Sequence, residues 1–283
     1  MIQTFIRNHR RVLRLFSLLT AVLAGAACGG AGSGAGNAVK IDPLSPASYV
    51  LVESGTLPVV LSVPHGGSAV LPGVPERVAT DATTVLDTNT YELGLAIQSQ
   101  LFALTGKKAH LVASQVSRKY VDFNRSAAEA YETATVAPIY AFYHTAIQTA
   151  VNAAKAQSST GAILIDVHGQ GTTSNLIYRG TQNGNTAALP TLYRTAPNGL
   201  VTEMLARSLP VNPGTSATGE HASFTGGYIV QAYGFPEAAP NRLNAVQLEF
   251  GLSFRSPSSA TAATAAGMAA AIKSHLQATG ALP

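Results

Sequence analysis

Apolar residues in this chain form short continuous runs that alternate with longer stretches of helical spacing. The runs predict strands at 49–53, 57–63, 109–116, 162–167 and 244–254, with shorter strands at 176–180 and within 226–234. Apolar positions three and four apart predict helices at 89–104, 136–157, 199–209 and 258–278. Strands that alternate with helices of ten residues or more predict an α/β fold, a three-layer sandwich with a mixed, largely parallel sheet.

The chain after residue 44 shows neither a repeat of fixed period nor a linker, so we assign residues 44–283 to one domain. Residues 180–198 and 210–224 are rich in Gly, Asn, Thr and Pro and are predicted to be loops over the open edge of the sheet, where binding residues concentrate. Asp87 and Thr88 precede the helix at 89–104, where a helix N-cap is expected.

The first 28 residues have the organisation of an export signal. Four arginines precede an apolar segment, 15–24, which is too short to span a bilayer. Cys28 is the single cysteine and follows Gly-Ala-Ala, as in a lipobox whose cysteine is lipidated, although Gly25 stands where that motif usually has leucine. Ordinary cleavage at an Ala-x-Ala-like site is the alternative, and we favour the lipoprotein interpretation.

Residues 29–43 follow as a flexible, glycine-rich tether. We therefore expect an exported protein of the periplasm or cell envelope, with membrane contact limited to a lipid anchor at Cys28. The net charge is +4, but the four N-terminal arginines account for that excess, so the charge does not indicate a nucleic-acid partner.

Two histidines end predicted strands and are followed at once by glycine. His65 ends the segment LPVVLSVPH, and His168 ends ILIDVH. Two imidazoles and one carboxylate form a common catalytic zinc set. Glu249 lies within an apolar strand, where a charge needs a partner or a function, and Asp166 is placed to orient His168.

Each of these residues also has a structural interpretation when taken alone. A strand-end histidine is more often structural than a ligand, Asp87 fits an N-cap, and Arg118 and Arg125 fit surface charges. Because the residues occur together, we favour a metal site.

Six segments carry a resemblance to a known family. They are PHGG at 64–67, DTNTYEL at 87–93, SRKYVDFNR at 117–125, DVHG at 166–169, FTGGYIVQAYG at 224–234 and AVQLEFG at 245–251. Their order resembles that in the N-formylglutamate amidohydrolase family, over roughly residues 57 to 254. The resemblance implies a phosphorylase/hydrolase-like α/β fold, similar to that of the zinc carboxypeptidases and aspartoacylase-like hydrolases, and one zinc ion.

The resemblance also assigns roles to individual residues. His65, Asp87 and His168 are the expected zinc ligands, with Glu92 as the competitor of Asp87. Glu249 is the expected general base. The residues expected to bind the substrate are Arg118, Arg125, Asn124, Gly226, Gly227 and Tyr228. In this chain Tyr91 replaces an acidic residue of the family, and the segment after His168 departs from the family's usual loop.

The predicted function is that of an exported zinc-dependent amidohydrolase. It would cleave an N-acyl or peptide-like amide next to a carboxylate of a small substrate, with metal-activated water and Glu249 as the base. The alternative is an envelope-anchored binding protein of the same fold without turnover. A serine hydrolase is disfavoured because G-x-S-x-G is absent. The acyl group stays open, as does the role of His221, for which we weigh a transition-state donor against a solvent-facing loop residue.

Overall fold

The computed structural model describes residues 45–188, 199–215, 219–235 and 242–283, which lie in one compact unit. The predicted signal segment 1–28 with Cys28 and the tether 29–43 lie outside the described residues, as do parts of both predicted loops, 189–198 and 216–218. None of the helices in the described ranges is long and apolar enough to cross a membrane.

Seven strands form one mixed sheet in the order β1-β3-β2-β4-β7-β5-β6. The strands are β1 (Val50–Glu53), β2 (Val59–Val63), β3 (His110–Ser114), β4 (Ile163–Gly169), β5 (Ile177–Gly180), β6 (Val211–Asn212) and β7 (Asn244–Phe250). β3, β2, β4 and β7 run parallel to one another, as do β5 and β6. β1 and β5 pair antiparallel with β3 and β7. The predicted α/β class with a mixed, largely parallel sheet is confirmed.

Helices cover both faces of this sheet. The helices are α1 (Thr90–Thr105), α2 (Ala137–Gln157), α3 (Leu200–Leu205), α4 (Tyr228–Tyr233) and α5 (Ser258–Ala278). The apolar sides of α1, α3 and α5 form one core with the sheet, and those of α2 and α4 form the other. Each fully buried aliphatic side chain stabilises this arrangement by roughly 1.5–3 kcal/mol. The result is the predicted three-layer sandwich.

The sheet face under α2 changes from apolar to polar toward the carboxyl ends of β4 and β7. Leu164 belongs to the core, whereas Asp166 and His168 follow it on the same face. On β7, Gln247 pairs with Asp166 and Glu249 pairs with His168. This register brings four buried polar side chains together at one end of the sheet.

The predicted short strand within 226–234 is wrong, because Tyr228–Tyr233 forms helix α4. Gly226 has φ +104°, and the amide of Gln231 donates to the carbonyl of Gly227, which closes a helical turn. Ile229, Val230 and Tyr233 are buried in the core beneath α2. Tertiary packing thus overrides the strand propensity of these β-branched and aromatic residues.

Several boundaries also differ from the prediction. The strand predicted at 244–254 ends at Phe250, and a 3-10 helix, Leu252–Phe254, follows. Gly251 permits that change, since a Cβ there would lie 2.2 Å from the carbonyl oxygen of Ser174. Helix α3 is shorter than the predicted 199–209, and β6 lies within a predicted loop. Asn89, rather than Asp87, is the N-cap of α1.

Candidate metal centre

Three electron-pair donors converge at the carboxyl end of the sheet. Nδ1 of His65 lies 3.2 Å from Nδ1 of His168. Oδ2 of Asp87 lies 3.5 Å from the first nitrogen and 3.3 Å from the second. All three residues are buried, and they form a group able to hold a metal ion. The fold therefore brings the three predicted ligands together, although no two of them are close in the sequence.

The triangle has the dimensions of a tetrahedral zinc site. Zinc binds imidazole nitrogen and carboxylate oxygen at about 2.0–2.1 Å, so its ligand atoms are about 3.3 Å from one another. The three observed separations, 3.2, 3.3 and 3.5 Å, span that value. A set of two imidazoles and one carboxylate also leaves a fourth tetrahedral position for a substrate or water. The residues present thus fit a zinc ion.

The far nitrogen of each imidazole is bound to a buried carboxylate. Nε2 of His65 lies 2.6 Å from Oδ1 of Asp122, and Nε2 of His168 lies 2.8 Å from Oδ2 of Asp166. A neutral imidazole that donates from Nε2 has its lone pair on Nδ1. In that neutral form both Nδ1 lone pairs point into the centre, beside a carboxylate oxygen, and a proton or a metal cation between them stabilises the arrangement. Carboxylate partners of this kind fix the ring orientation of metal-binding histidines.

Neighbouring charges shift the pKa values of the buried groups in the centre. Burial alone would raise the pKa of Asp87, but the imidazoles of His168 and His65 outweigh burial and lower this pKa below its ordinary range. The pKa of Asp122 is lowered in the same sense, because His65 and Arg118 outweigh its burial. Burial would lower the pKa of His168, yet the carboxylates of Asp166 and Asp87 raise it well above 6.5.

Asp87 reaches the centre because the loop before α1 folds back on the end of β2. Its amide donates to the carbonyl of His65 at 3.2 Å, and its Oδ2 accepts the amide of Gly169 at 3.0 Å. These bonds fix Asp87 against both histidine segments. Glu92, the competing candidate, is exposed on α1 and lines a different cavity. The geometry therefore favours Asp87 over Glu92 as the third ligand.

Arg118 is tied to the histidine network. Its Nε and Nη2 each lie 2.9 Å from Oδ2 of Asp122, while Nη1 lies 3.9 Å from Oδ1 of Asp87. Arg77 approaches the same Asp122 oxygen at 3.7 Å. Asp122 thus joins His65 to two guanidinium groups. Sequence reasoning gave Asp122 no role, although it stands within the R-x-x-V-D-x-N-R element.

Arg125 differs from Arg118 in its partners. Its side chain is half-buried and lines the cavity over the centre. Within the described residues the Arg125 guanidinium forms neither an ion pair nor a side-chain hydrogen bond, so its donors are available to a ligand in the cavity that Arg125 lines. Tyr140 holds the segment in place by donating from its hydroxyl to the carbonyl of Arg125 at 2.8 Å.

Gln247 links Glu249 to the wall of the cavity. Its Nε2 donates to Oε1 of Glu249 at 2.7 Å, and its Oε1 accepts the amide of Gly227 at 2.7 Å and Nδ2 of Asn124 at 3.1 Å. Asn124 Oδ1 in turn accepts the amide of Ile229 at 2.8 Å. The Asn124 amide is therefore engaged in holding helix α4 and β7 together. Gln247 was missed by sequence reasoning, although it lies two residues before Glu249 on the same strand face.

Glu249 is buried at the wall of the cavity. Burial raises its pKa above 4.5, and the neighbouring His168 opposes that rise. A carboxylate with a raised pKa exchanges a proton more readily near neutral pH, as a general base must.

The cavity over the centre has a volume of about 490 Å³. Nine of the ten residues predicted by sequence line it: His65, Asp87, His168, Glu249, Arg118, Arg125, Asn124, Gly226 and Gly227. Tyr228 instead lines an adjoining cavity of about 290 Å³, which shares Arg125 with the first. His221 lies outside both linings and packs against the rings of Tyr178 and Phe224.

No protein-family model matches the chain, and no curated protein matches its sequence. Its structure is similar to the crystal structure of N-formylglutamate amidohydrolase from Ralstonia eutropha JMP134, with a TM-score of 0.55 and 17% identity over 79% of this chain and 95% of that one. The chain has the fold of an N-formylglutamate amidohydrolase. The resemblance inferred from the sequence is thereby confirmed at the level of the fold.

Two further solved structures are similar. A gene product from Agrobacterium tumefaciens matches with a TM-score of 0.53 and 15% identity, covering 81% of this chain and 95% of that one. A bacteriophage poly-gamma-glutamate hydrolase matches with a TM-score of 0.40 and 13% identity, covering 82% and 87%.

Proposed function

We propose that this protein is an exported zinc-dependent amidohydrolase that cleaves an amide bond next to a carboxylate. The observation that carries the proposal is the convergence of His65 Nδ1, His168 Nδ1 and Asp87 Oδ2 within 3.2–3.5 Å of one another, with both far nitrogens bound to carboxylates. The fold of a known amidohydrolase agrees with it. The signal-like segment 1–28 supports export, with a lipid anchor at Cys28.

The three residues would hold one zinc ion, which would supply a Lewis acid that polarises the scissile carbonyl and lowers the pKa of water. Asp122 and Asp166 keep the Nδ1 lone pairs of the two histidines available for it. Zinc is preferred over magnesium because imidazole nitrogen dominates the donor set.

Glu249 is the proton carrier in this proposal. It lines the same cavity as the triad, and its buried carboxylate accepts a hydrogen bond from Gln247. It takes the proton from the attacking water and delivers it to the leaving amine nitrogen. A proton transfer of this kind contributes about 10²–10⁴-fold to the rate.

Arg125 binds the substrate carboxylate. It is the cavity arginine whose donors have no partner among the described residues, whereas two of the Arg118 donors are occupied by Asp122. A guanidinium binds a carboxylate through two parallel hydrogen bonds, which orients the neighbouring amide toward the centre.

Metal analysis and turnover assays test the proposal. Purified full-length protein is expected to bind one zinc ion per chain and to hydrolyse N-acyl glutamates or γ-glutamyl peptides. A chelator should abolish turnover, and added zinc should restore it. His168→Ala is expected to lose zinc, while Glu249→Gln should retain zinc and lose at least about 100-fold in kcat. Glu76→Gln, at a half-exposed residue that pairs with Lys119, is the matched control.

Three results would contradict the proposal. If the zinc content of His168→Ala is unchanged, the assignment of the metal centre is wrong. If Glu249→Gln keeps full turnover, the assignment of Glu249 as the base is wrong. Zinc and ligand binding without turnover of any amide in the wild-type protein would favour the binding-protein alternative.

A further inference from the structure

Arg255 is a buried cation that the proposed chemistry does not use. It follows the 3-10 helix Leu252–Phe254 and is 5% exposed. Its guanidinium donates to three backbone carbonyl oxygens: Nε to Phe250 at 2.9 Å, Nη2 to Gln170 at 3.0 Å, and Nη1 to Thr88. A buried charge is costly unless hydrogen bonds compensate for the lost water, and these three carbonyls supply that compensation.

The three carbonyls belong to the three segments that form the centre. Thr88 follows Asp87, Gln170 is two residues after His168, and Phe250 follows Glu249. These segments lie far apart in the sequence and meet at one planar group. In a fourth hydrogen bond Arg255 is the acceptor: Asn89 Nδ2 donates to the backbone carbonyl of Arg255 at 2.7 Å.

Gly169 provides the space for this guanidinium. A Cβ at position 169 would lie 2.6 Å from Cζ of Arg255 and 2.8 Å from its Nε. The glycine that follows His168 is therefore required by the close approach of Arg255. The amide of the same Gly169 donates to Asp87 Oδ2 at 3.0 Å, so one residue contacts both the arginine and the carboxylate ligand.

The shape of the side chain explains why arginine occupies this position. A guanidinium presents its N–H donors in a rigid plane, which matches three carbonyls that approach from different directions. A lysine ammonium has rotatable donors on a flexible chain and cannot hold the three segments in one plane. Burial lowers the pKa of the Arg255 guanidinium, and the negative charges of Asp87 and Glu249 oppose that shift.

We propose that Arg255 is a positioning residue that sets the relative placement of Asp87, His168 and Glu249 through their neighbouring carbonyls. The expected effect of Arg255 on metal affinity and metal geometry rests on the proposed function. The expected effect of Arg255 on the distances between Asp87 and the two histidines does not depend on any metal.

The test compares Arg255→Lys with the wild-type full-length protein. Folding is checked by circular dichroism and thermal unfolding, and metal binding by zinc competition and by the visible spectrum of the cobalt-substituted protein. A folded Arg255→Lys is expected to bind zinc about 10- to 100-fold more weakly, the loss typical when an indirect support of a metal ligand is removed. Its cobalt bands should change in position and intensity, because the ligand geometry changes.

Two additional variants provide a second perturbation of the Arg255 guanidinium and a matched control. Gly169→Ala pushes on the guanidinium from the other side and should change the cobalt spectrum in the same way, even if Arg255→Lys does not fold. Arg207→Lys, at an arginine that bonds Glu203 and Ser274 between α3 and α5, is the matched control and should leave affinity and spectrum unchanged. Wild-type zinc affinity and cobalt spectrum in either folded site variant would overturn the proposal.

Failure of the proposed function has a different signature. If the wild-type protein binds neither zinc nor cobalt, the metal centre is wrong, and crystal structures of the metal-free wild type and Arg255→Lys decide the positioning role. An increase in the distances from Asp87 Oδ2 to the two Nδ1 atoms would support it. Unchanged distances in the variant would overturn it.

Discussion

The Nδ1 atoms of His65 and His168 face each other at 3.2 Å, although 102 residues separate the two histidines in the chain. Each ring is turned by a carboxylate at its far nitrogen, Asp122 for His65 and Asp166 for His168. The parallel pairing of β2 with β4 brings the two strand ends together. Two Nδ1 lone pairs at this distance repel each other unless a proton or a metal ion lies between them, so the pair favours binding of a cation.

The carboxylates behind the histidines should control metal affinity. Asp122→Asn and Asp166→Asn retain a hydrogen-bond acceptor behind each imidazole. They remove the negative charge that makes the imidazole a stronger electron-pair donor to the metal. We expect zinc to bind roughly 10- to 100-fold more weakly in each variant, as measured by competition with a chromophoric chelator. Asp81→Asn, at an exposed position, should bind zinc like the wild type. Wild-type affinity in both buried variants would contradict this role.

Zinc binding should release protons near neutral pH. The neighbouring carboxylates raise the pKa of His168 in the metal-free protein, so its ring stays protonated at pH values where an ordinary histidine is neutral. Zinc needs the deprotonated nitrogen, and its apparent affinity should therefore fall as the pH drops below that raised pKa.

Calorimetric titration of zinc at pH 7 in two buffers of different ionisation enthalpy measures this release. The proton count should be substantial at pH 7 and should decrease as the pH rises through the raised pKa of His168. Asp87, whose pKa is lowered, stays ionised throughout and contributes no proton. A proton count of zero at pH 7 would show that His168 is neutral before zinc binds.

Much of the fold could be predicted from local pattern. The continuous apolar runs of β2 and β4 and the spacing in α2 and α5 are strong signals, because buried parallel strands and amphipathic helices are each specified within one segment. Helix α4 could not be predicted in this way. Its residues favour a strand by propensity, and their packing beneath α2 decides the outcome.

The site shows the same division. His65, His168 and Glu249 could be selected as candidates from their positions at strand ends or within an apolar strand, and the family resemblance supplied their roles as ligands and base. The choice between Asp87 and Glu92 required the fold of the loop before α1. The connecting residues were beyond local reasoning, because Asp122, Gln247 and Arg255 act through contacts with segments remote in sequence. A polar residue with a long-range role looks like any other polar residue until the chain is folded.

Gly227 should not tolerate a side chain. A Cβ at this position would lie 2.2 Å from Nδ2 of Asn124, which bridges Gln247 and the amide of Ile229 through its two ends. We expect Gly227→Ala to displace Asn124, to lower the free energy of unfolding by roughly 1–3 kcal/mol through the broken buried hydrogen bonds, and to reduce turnover. Chemical denaturation and steady-state kinetics measure the two effects.

Gly219→Ala is the matched control, because a Cβ at that position meets no atom of the described residues within 4 Å. It should leave both stability and turnover close to wild type. Equal behaviour of the two alanine variants would mean that the Asn124 amide moves without consequence, and its bridging role would then be wrong.

Substitution of the two cavity arginines should have two different effects on the protein. Arg125 offers donors that no described residue occupies, so Arg125→Gln should raise KM for a substrate carboxylate while zinc content stays at one ion per chain. The loss of a charge-assisted bidentate contact is worth about 1.5–3 kcal/mol, which corresponds to roughly 10- to 150-fold in KM. Arg118 instead supports Asp122 behind His65, so Arg118→Gln should weaken zinc binding.

Kinetics with an N-acyl glutamate and its α-amide separate the two roles. Arg125→Gln should lose the preference for the free α-carboxylate, since the α-amide has no charge at that position for the arginine to bind, while both compounds keep the γ-carboxylate. Arg118→Gln should keep that preference and recover much of its activity when zinc is in excess. Lys119→Gln, which removes an exposed positive charge one residue from Arg118, should change neither quantity. If Arg118→Gln loses the carboxylate preference and Arg125→Gln loses zinc, the assignment of the two arginines is reversed.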